Sequence, residues 1–173
     1  MPVCFATPKY LVNTVPSHVH EAEDRMYDII DAIEAGDLLR IRQLIYFGDR
    51  TENEINQDEA IVVLESMNLN KFDFLVAFLA QASDINTTIY AVQKAVEIDN
   101  FEALEMLLQN DPGNELRGLA VIHTAHGNGT VECLNRLLQN HQIPEADLDQ
   151  AIDEASYYDM KEVLEKYENE KND

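Results

Sequence analysis

The sequence predicts an all-α solenoid of about five helix-turn-helix units, and three observations carry the prediction. A short phrase returns five times, as DLLRIRQLI, KFDFLVAFL, NFEALEMLL, TVECLNRLL and DMKEVLEKY. In each, an apolar anchor (Ile41, Leu75, Leu104, Leu134, Val163) is followed three and four residues later by positions on the same helical face. The anchors lie 34, 29, 30 and 29 residues apart. A period of that size marks stacked helical units, each burying its apolar face only against its neighbours. Third, DRTENEIN, the polar stretch after the first phrase, lacks the alternation of a strand, and the remaining segments read as helices. Such an architecture points to a surface that binds rather than a pocket that transforms.

Composition narrows the function classes. The 173 residues are 46% hydrophobic and 26% charged, which is a folding composition and not a disordered one. With 33 acidic against 12 basic residues the formal net charge is −21. That field repels phosphate backbones and anionic lipid headgroups and speeds encounter with basic partners, so direct nucleic-acid or membrane-surface binding is not expected. The charge gathers at two ends: Glu21, Glu23, Asp24, Asp28, Asp31, Glu34 and Asp37 face one base, Arg25, while residues 145–173 hold eleven acids against Lys161, Lys166 and Lys171. Terminal units of a stack need a polar outer face, which explains such ends; an acidic pole that docks on a basic protein surface is the sharper alternative. Cys4 and Cys133 form neither a framework nor a CxxC pair, so a reducing, cytoplasmic compartment is expected.

Element by element, residues 1–16, with Pro2, Pro8 and Pro16, read as an irregular arm that either stays extended or packs Val3, Phe5, Tyr10, Leu11 and Val12 over the first unit. Residues 17–169 form the repeat domain and 170–173 a tail. Ser17 caps a helix through HVHEAEDRMYDIIDAIEA that stops at Gly36. Asp37 starts LLRIRQLIYF, closed by Gly48. DRTENEIN is a polar connection, followed by QDEAIVVLESM and KFDFLVAFLAQ. The link ASDIN leads to TTIYAVQKAVEI and FEALEMLLQN. The turn DPGN leads to ELRGLAVIHTAH and TVECLNRLLQN. In HQIPE, Pro144 sits near a helix start, where its missing donor is harmless, and ADLDQAIDEASY and DMKEVLEKYEN form the fifth pair.

The fourth unit is the most specific. Ile122-His123-Thr124-Ala125-His126-Gly127-Asn128-Gly129-Thr130-Val131-Glu132-Cys133-Leu134, continuing to Leu137-Leu138, resembles the ankyrin phrase. Ala32 to Leu38 resembles the same helix-to-helix corner, and Ser83-Asp84-Ile85-Asn86 resembles the ankyrin hairpin link. The resemblance runs from about Asp24 to Tyr167. It departs where the threonine-proline step is absent, with Thr87-Thr88-Ile89-Tyr90-Ala91 as the nearest substitute, and intervals of 29 and 30 fall short of the usual period of about 33. The resemblance therefore implies an ankyrin-like array with short or missing β-hairpin fingers; another helical-hairpin solenoid is the alternative architecture.

Candidate chemistry is sparse. His18 and His20 sit at i and i+2, which diverge on a helix and do not make a metal pair. His123 occupies the ankyrin histidine position, for which the resemblance implies hydrogen bonds to neighbouring turns. Cys133 reads as a small buried hydrophobe. No nucleophile elbow and no phosphate-cradling glycine motif is present, so no enzyme activity, cofactor or metal is expected. An ankyrin-like array implies binding through its first helices and links. Aromatic and arginine anchors near the turns are then the candidates: Tyr46, Phe47, Arg50, Tyr90, His126, Tyr157 and Tyr158. Of these, Phe47 and Tyr90 are expected in the core. The expected role is an adaptor or inhibitor of a protein with a basic surface. Two other classes stay open, an acidic nucleic-acid mimic and a small enzyme with its site between the arm and the first units. The glutamate cluster Glu162 to Glu170 resembles the acidic C-terminal signals of effectors delivered into host cells by type IV secretion.

Overall fold

Each unit of the sequence closes as a helical hairpin because its two apolar faces meet across a short corner. The computed structural model describes residues 17–81, 85–109, 114–139 and 143–172. Among these residues lie ten α-helices and one π-helical turn, and no strand. The helices are α1 (Ser17–Ala35), α2 (Leu38–Tyr46), α3 (Glu52–Asn68), α4 (Phe72–Leu79), α5 (Ile85–Glu97), α6 (Phe101–Leu108), α7 (Glu115–His123), α8 (Val131–Leu138), α9 (Glu145–Glu154) and α10 (Tyr158–Asn172), with the π-helical turn Thr124–Asn128 prolonging α7. The arm over residues 1–16, most of the DPGN turn and parts of the ASDIN and HQIPE links lie outside the described residues.

The first helices of the hairpins pack in chain order, α1 on α3, α3 on α5, α5 on α7 and α7 on α9, while α4 rests on α6 and α8 on α10. Four anchors are buried as their periodicity requires: Ile41 and Leu134 at 0%, Leu75 at 1% and Leu104 at 2% exposure. The fifth is displaced by one residue. Val163 is only half-buried, and Leu164, at 0%, faces the core with Met160 four residues before it. The end helix has a neighbour on one side only, so a single i, i+4 stripe suffices. The apolar positions of the last unit are thus largely covered within the chain. No helix among the described residues is long and apolar enough to cross a membrane.

Three corners share one geometry. Gly36, Asn70 and Asp99 stand at φ +70°, +54° and +51°. Their N–H groups donate to the carbonyls of Ile33, Met67 and Val96, and the next N–H, of Asp37, Lys71 and Asn100, donates back to Ala32, Ser66 and Ala95. This paired closure satisfies the last carbonyls of a helix and requires a left-handed residue, which glycine, asparagine and aspartate supply most readily. Asp37 and Asn100 then cap the following helix, accepting from the N–H groups of Arg40 (2.9 Å) and Ala103 (3.1 Å). Corners also reach their neighbours: Lys71 Nζ donates to Glu34 O (3.3 Å), Thr130 Oγ1 to Asp99 Oδ1 (2.9 Å) and Ser156 N to Ala125 O (2.9 Å).

The start of α3 corrects the sequence reading, which left DRTENEIN as a connection. Helix begins at Glu52 because Thr51 and Glu54 form a capping box: Glu54 N–H donates to Thr51 Oγ1 (3.3 Å) and Thr51 N–H donates to Glu54 Oε2 (2.8 Å). The backbone hydrogen bond from Thr51, with help from its hydroxyl, holds the Glu54 carboxyl below the usual range.

Candidate functional site

Helix α3 places two adjacent acids, Asp58 and Glu59, in the interior, at 6% and 5% exposure. They lie four residues before Val62 and Val63, both at 0%, and so belong to the same buried flank of the helix. Their partners differ. Arg50 Nη1 meets Asp58 Oδ2 at 2.6 Å, and Arg25 Nη1 stands 3.6 Å from the same oxygen. Arg50 also donates to the carbonyls of Leu44, Ile45 and Glu54, binding the end of α2 to the start of α3. Glu59 is held by two neutral hydroxyls, with Tyr46 Oη donating to Oε1 and Thr87 Oγ1 to Oε2, each at 2.5 Å. Burial, then the Glu59 hydrogen bond, pushes the Tyr46 phenol well above its ordinary range. Glu59 thereby joins α2, α3 and α5.

Above Glu59 opens a cleft of about 340 Å³ between α3 and α5, lined by Glu52, Asn56, Glu59, Asn86, Thr87 and Tyr90. Tyr90 is half-buried, packed against the core on one side and lining the cleft on the other, and Lys94 Nζ lies 5.5 Å from its ring centroid. Lys94 is also paired with Glu97, and this hydrogen bond is the first cause of the lowered Glu97 pKa.

Phe47 departs from the expected burial and is 77% exposed. It follows the last residue of α2 in extended geometry (φ −93°, ψ 137°), so its side chain leaves the helical face that Ile41 and Ile45 fill. It borders a cleft of about 370 Å³ with Leu39, Arg42, Gln43, Tyr46 and Gln81.

A second group forms where the fourth unit meets the fifth. Here Gly127, at φ +88°, turns the chain out of the π-helical segment. His126 Nε2 stands 2.5 Å from Glu154 Oε2, and Ser156 Oγ donates to His126 O at 2.9 Å. Tyr157 (57% exposed) packs on Gly127, and Tyr158 (84%) follows it at the start of α10. His123, three residues earlier, faces the other neighbour, with Nε2 3.3 Å from Glu97 Oε1. The two histidines of this unit therefore pair with carboxylates at the ends of α5 and α9.

The structure thus sorts the sequence candidates. His126, Tyr157 and Tyr158 come together at one corner. Tyr46 and Arg50 belong to the interior seam between the first two units, Tyr90 walls the cleft beside that seam, and Phe47 stands apart. Cys133 is buried, and burial pushes its thiol up to about 11. No group of three or more His, Cys, Asp or Glu side chains that could hold a metal is found among the described residues; the side chains of His18 and His20 and all of Cys4 lie outside them. Sequence reasoning missed Asp58, Glu59 and Thr87. The signal was present in the i, i+4 register of Asp58 and Glu59 with Val62 and Val63. No protein-family model, curated protein or solved structure matches this chain.

Proposed function

We propose that the chain is a divergent ankyrin-like array, poor in projecting fingers, that binds another protein as an adaptor or inhibitor and performs no chemistry itself. The observation that carries this reading is the corner where Tyr157 and Tyr158 stand exposed beside the His126–Glu154 pair. Exposed aromatic side chains set among charged groups are the usual energetic centre of a protein interface. The acidic excess around them, five acids in α9 and five in α10, suits a partner with a basic surface. The test is affinity capture on the full chain at low and at physiological salt, followed by titration of the captured protein against the wild type and Tyr158→Ala. A stoichiometric partner that weakens with salt and with loss of the tyrosine supports the reading. Displacement of that partner by an oligonucleotide would instead identify the chain as a nucleic-acid mimic. For the glutamates of α10 we propose a role in delivery to a host cell, tested by translocation after deletion of residues 162–173; undiminished transfer would refute it.

A further inference from the structure

Of the two neighbouring buried acids in α3, Asp58 is met by two arginines and Glu59 by none. Both Glu59 oxygens accept from uncharged hydroxyls, and no ion pair among the described residues includes it. Buried carboxylates are ordinarily compensated by a cation, because the desolvation of an isolated charge is costly. Each carboxylate oxygen also offers a second acceptor site beyond the one its hydroxyl uses. The space beside this carboxylate is the cleft between α3 and α5. Its rim carries a second carboxylate, the exposed Glu52, and its wall holds the carboxamide of Asn56 and the ring of Tyr90. Carboxylates and an amide oxygen accept from a guanidinium, and an aromatic face attracts one. The ring already has a cationic neighbour in Lys94, itself bound to Glu97 and not to Glu59.

We infer that the cleft between α3 and α5 is a receptor for one arginine side chain of the protein partner, with Glu59 at its base as counter-charge and Tyr90 as its wall. The inference rests on the protein-binding reading for the source of that arginine, but the site is defined by its own chemistry. It lies on the first-helix row, away from the Tyr157–Tyr158 corner, and gives the partner a second point of attachment.

The experiment is amide NMR on the full labelled chain, titrated with N-acetyl-arginine amide and, in parallel, with its neutral isostere N-acetyl-citrulline amide. Arginine is expected to move the amide signals of Asn56, Ala60, Thr87 and Tyr90 in a saturable way, and citrulline to leave them in place. Glu59→Gln is expected to abolish the response; Glu52→Gln, at the exposed rim where folding is not at stake, is expected to weaken affinity several-fold. Equal shifts with citrulline, shifts confined to α9 and α10, or an unchanged response in both variants would overturn the site. The titration needs no partner protein. Loss of the arginine response while a protein is still captured refutes the cleft alone; an intact response with no protein captured supports the cleft and refutes the adaptor reading.

Discussion

Tyr157 lies so close over Gly127 that a Cβ built on the glycine would stand 2.6 Å from Tyr157 Cε2. Two penalties therefore fall on Gly127→Ala, the left-handed backbone, about 1 kcal/mol, and the overlap with the ring, about another 1 kcal/mol. Urea unfolding should show the sum in the single variant. In a Tyr157→Ala background the same change should cost only the backbone part, so the two substitutions should be non-additive. Equal costs in both backgrounds would mean that the ring does not press on this turn.

The contact between α7 and α9 is expected to respond to pH. A Cβ on Gly118 would meet Asp147 Oδ2 at 1.9 Å, so the helices approach with this carboxylate wedged between them. Burial, and then the charge of Glu115, raises the Asp147 pKa. A carboxyl whose folded pKa is raised penalises the fold once ionised; the penalty is full above the folded pKa and vanishes below the unfolded value. Asp147→Asn should raise the melting temperature at neutral pH and give no gain at about pH 3. A gain of the same size at both pH values would exclude the charge as its cause.

Arg50 should be the most sensitive surface-adjacent position. Removing it leaves Asp58 with Arg25 alone, at 3.6 Å, and frees carbonyls at Leu44, Ile45 and Glu54. Breaking a buried pair costs about 3–5 kcal/mol, and Arg25 offsets part of it, so Arg50→Ala is expected near the lower end. Lysine cannot reproduce the fork of donors, and Arg50→Lys should recover little. Chemical denaturation of the two variants decides it: recovery close to wild type would reduce Arg50 to a point charge.

The cap of α3 gives a smaller and local effect. Thr51→Ala removes the hydroxyl that accepts from Glu54 N–H and should cost about 1 kcal/mol. Hydrogen exchange should quicken in the first turn of α3, with the later turns protected as before. The backbone N–H of Thr51, which holds the Glu54 pKa down first, survives in the variant; only the smaller share from the hydroxyl's own bond to the carboxylate depends on pH, present above the unfolded pKa and lost as pH falls through the folded one.

These sites differ in how far the sequence disclosed them. The hairpins were legible because their apolar residues recur at helical spacing, and Gly36 announced its corner. Asn70 and Asp99 adopt the same left-handed geometry, but asparagine and aspartate are common in helix ends of every kind, so nothing singled them out. Val163 and Leu164 are both apolar, and the positions of α8 and α9 decide which one faces inward. The sequence offers His126, Tyr157 and Tyr158 as separate residues near turns; that they share one corner, where His126 meets Glu154, is not legible in it. The cleft was not foreseen. Glu59 acquires its meaning from Tyr46 and Thr87, 13 and 28 residues away, and separations of that length leave no mark on local pattern.

The interior of this chain is divided. Ile29, Ile33, Ile41, Ile45, Val62, Phe74 and Phe78 make one apolar cluster, while Val63, Met67, Phe72 and Leu75 open a second that continues to Leu164. Helices α3 and α4 turn adjoining sides to the two, Val62 and Phe74 to the first and Val63 and Leu75 to the second. With such a watershed, loss of the first hairpin would uncover Val62 of α3 and Phe74 and Phe78 of α4 and leave the second cluster whole. Glu59 is the rivet across that line, because its two oxygens accept from Tyr46 of α2 on one bank and from Thr87 of α5 on the other.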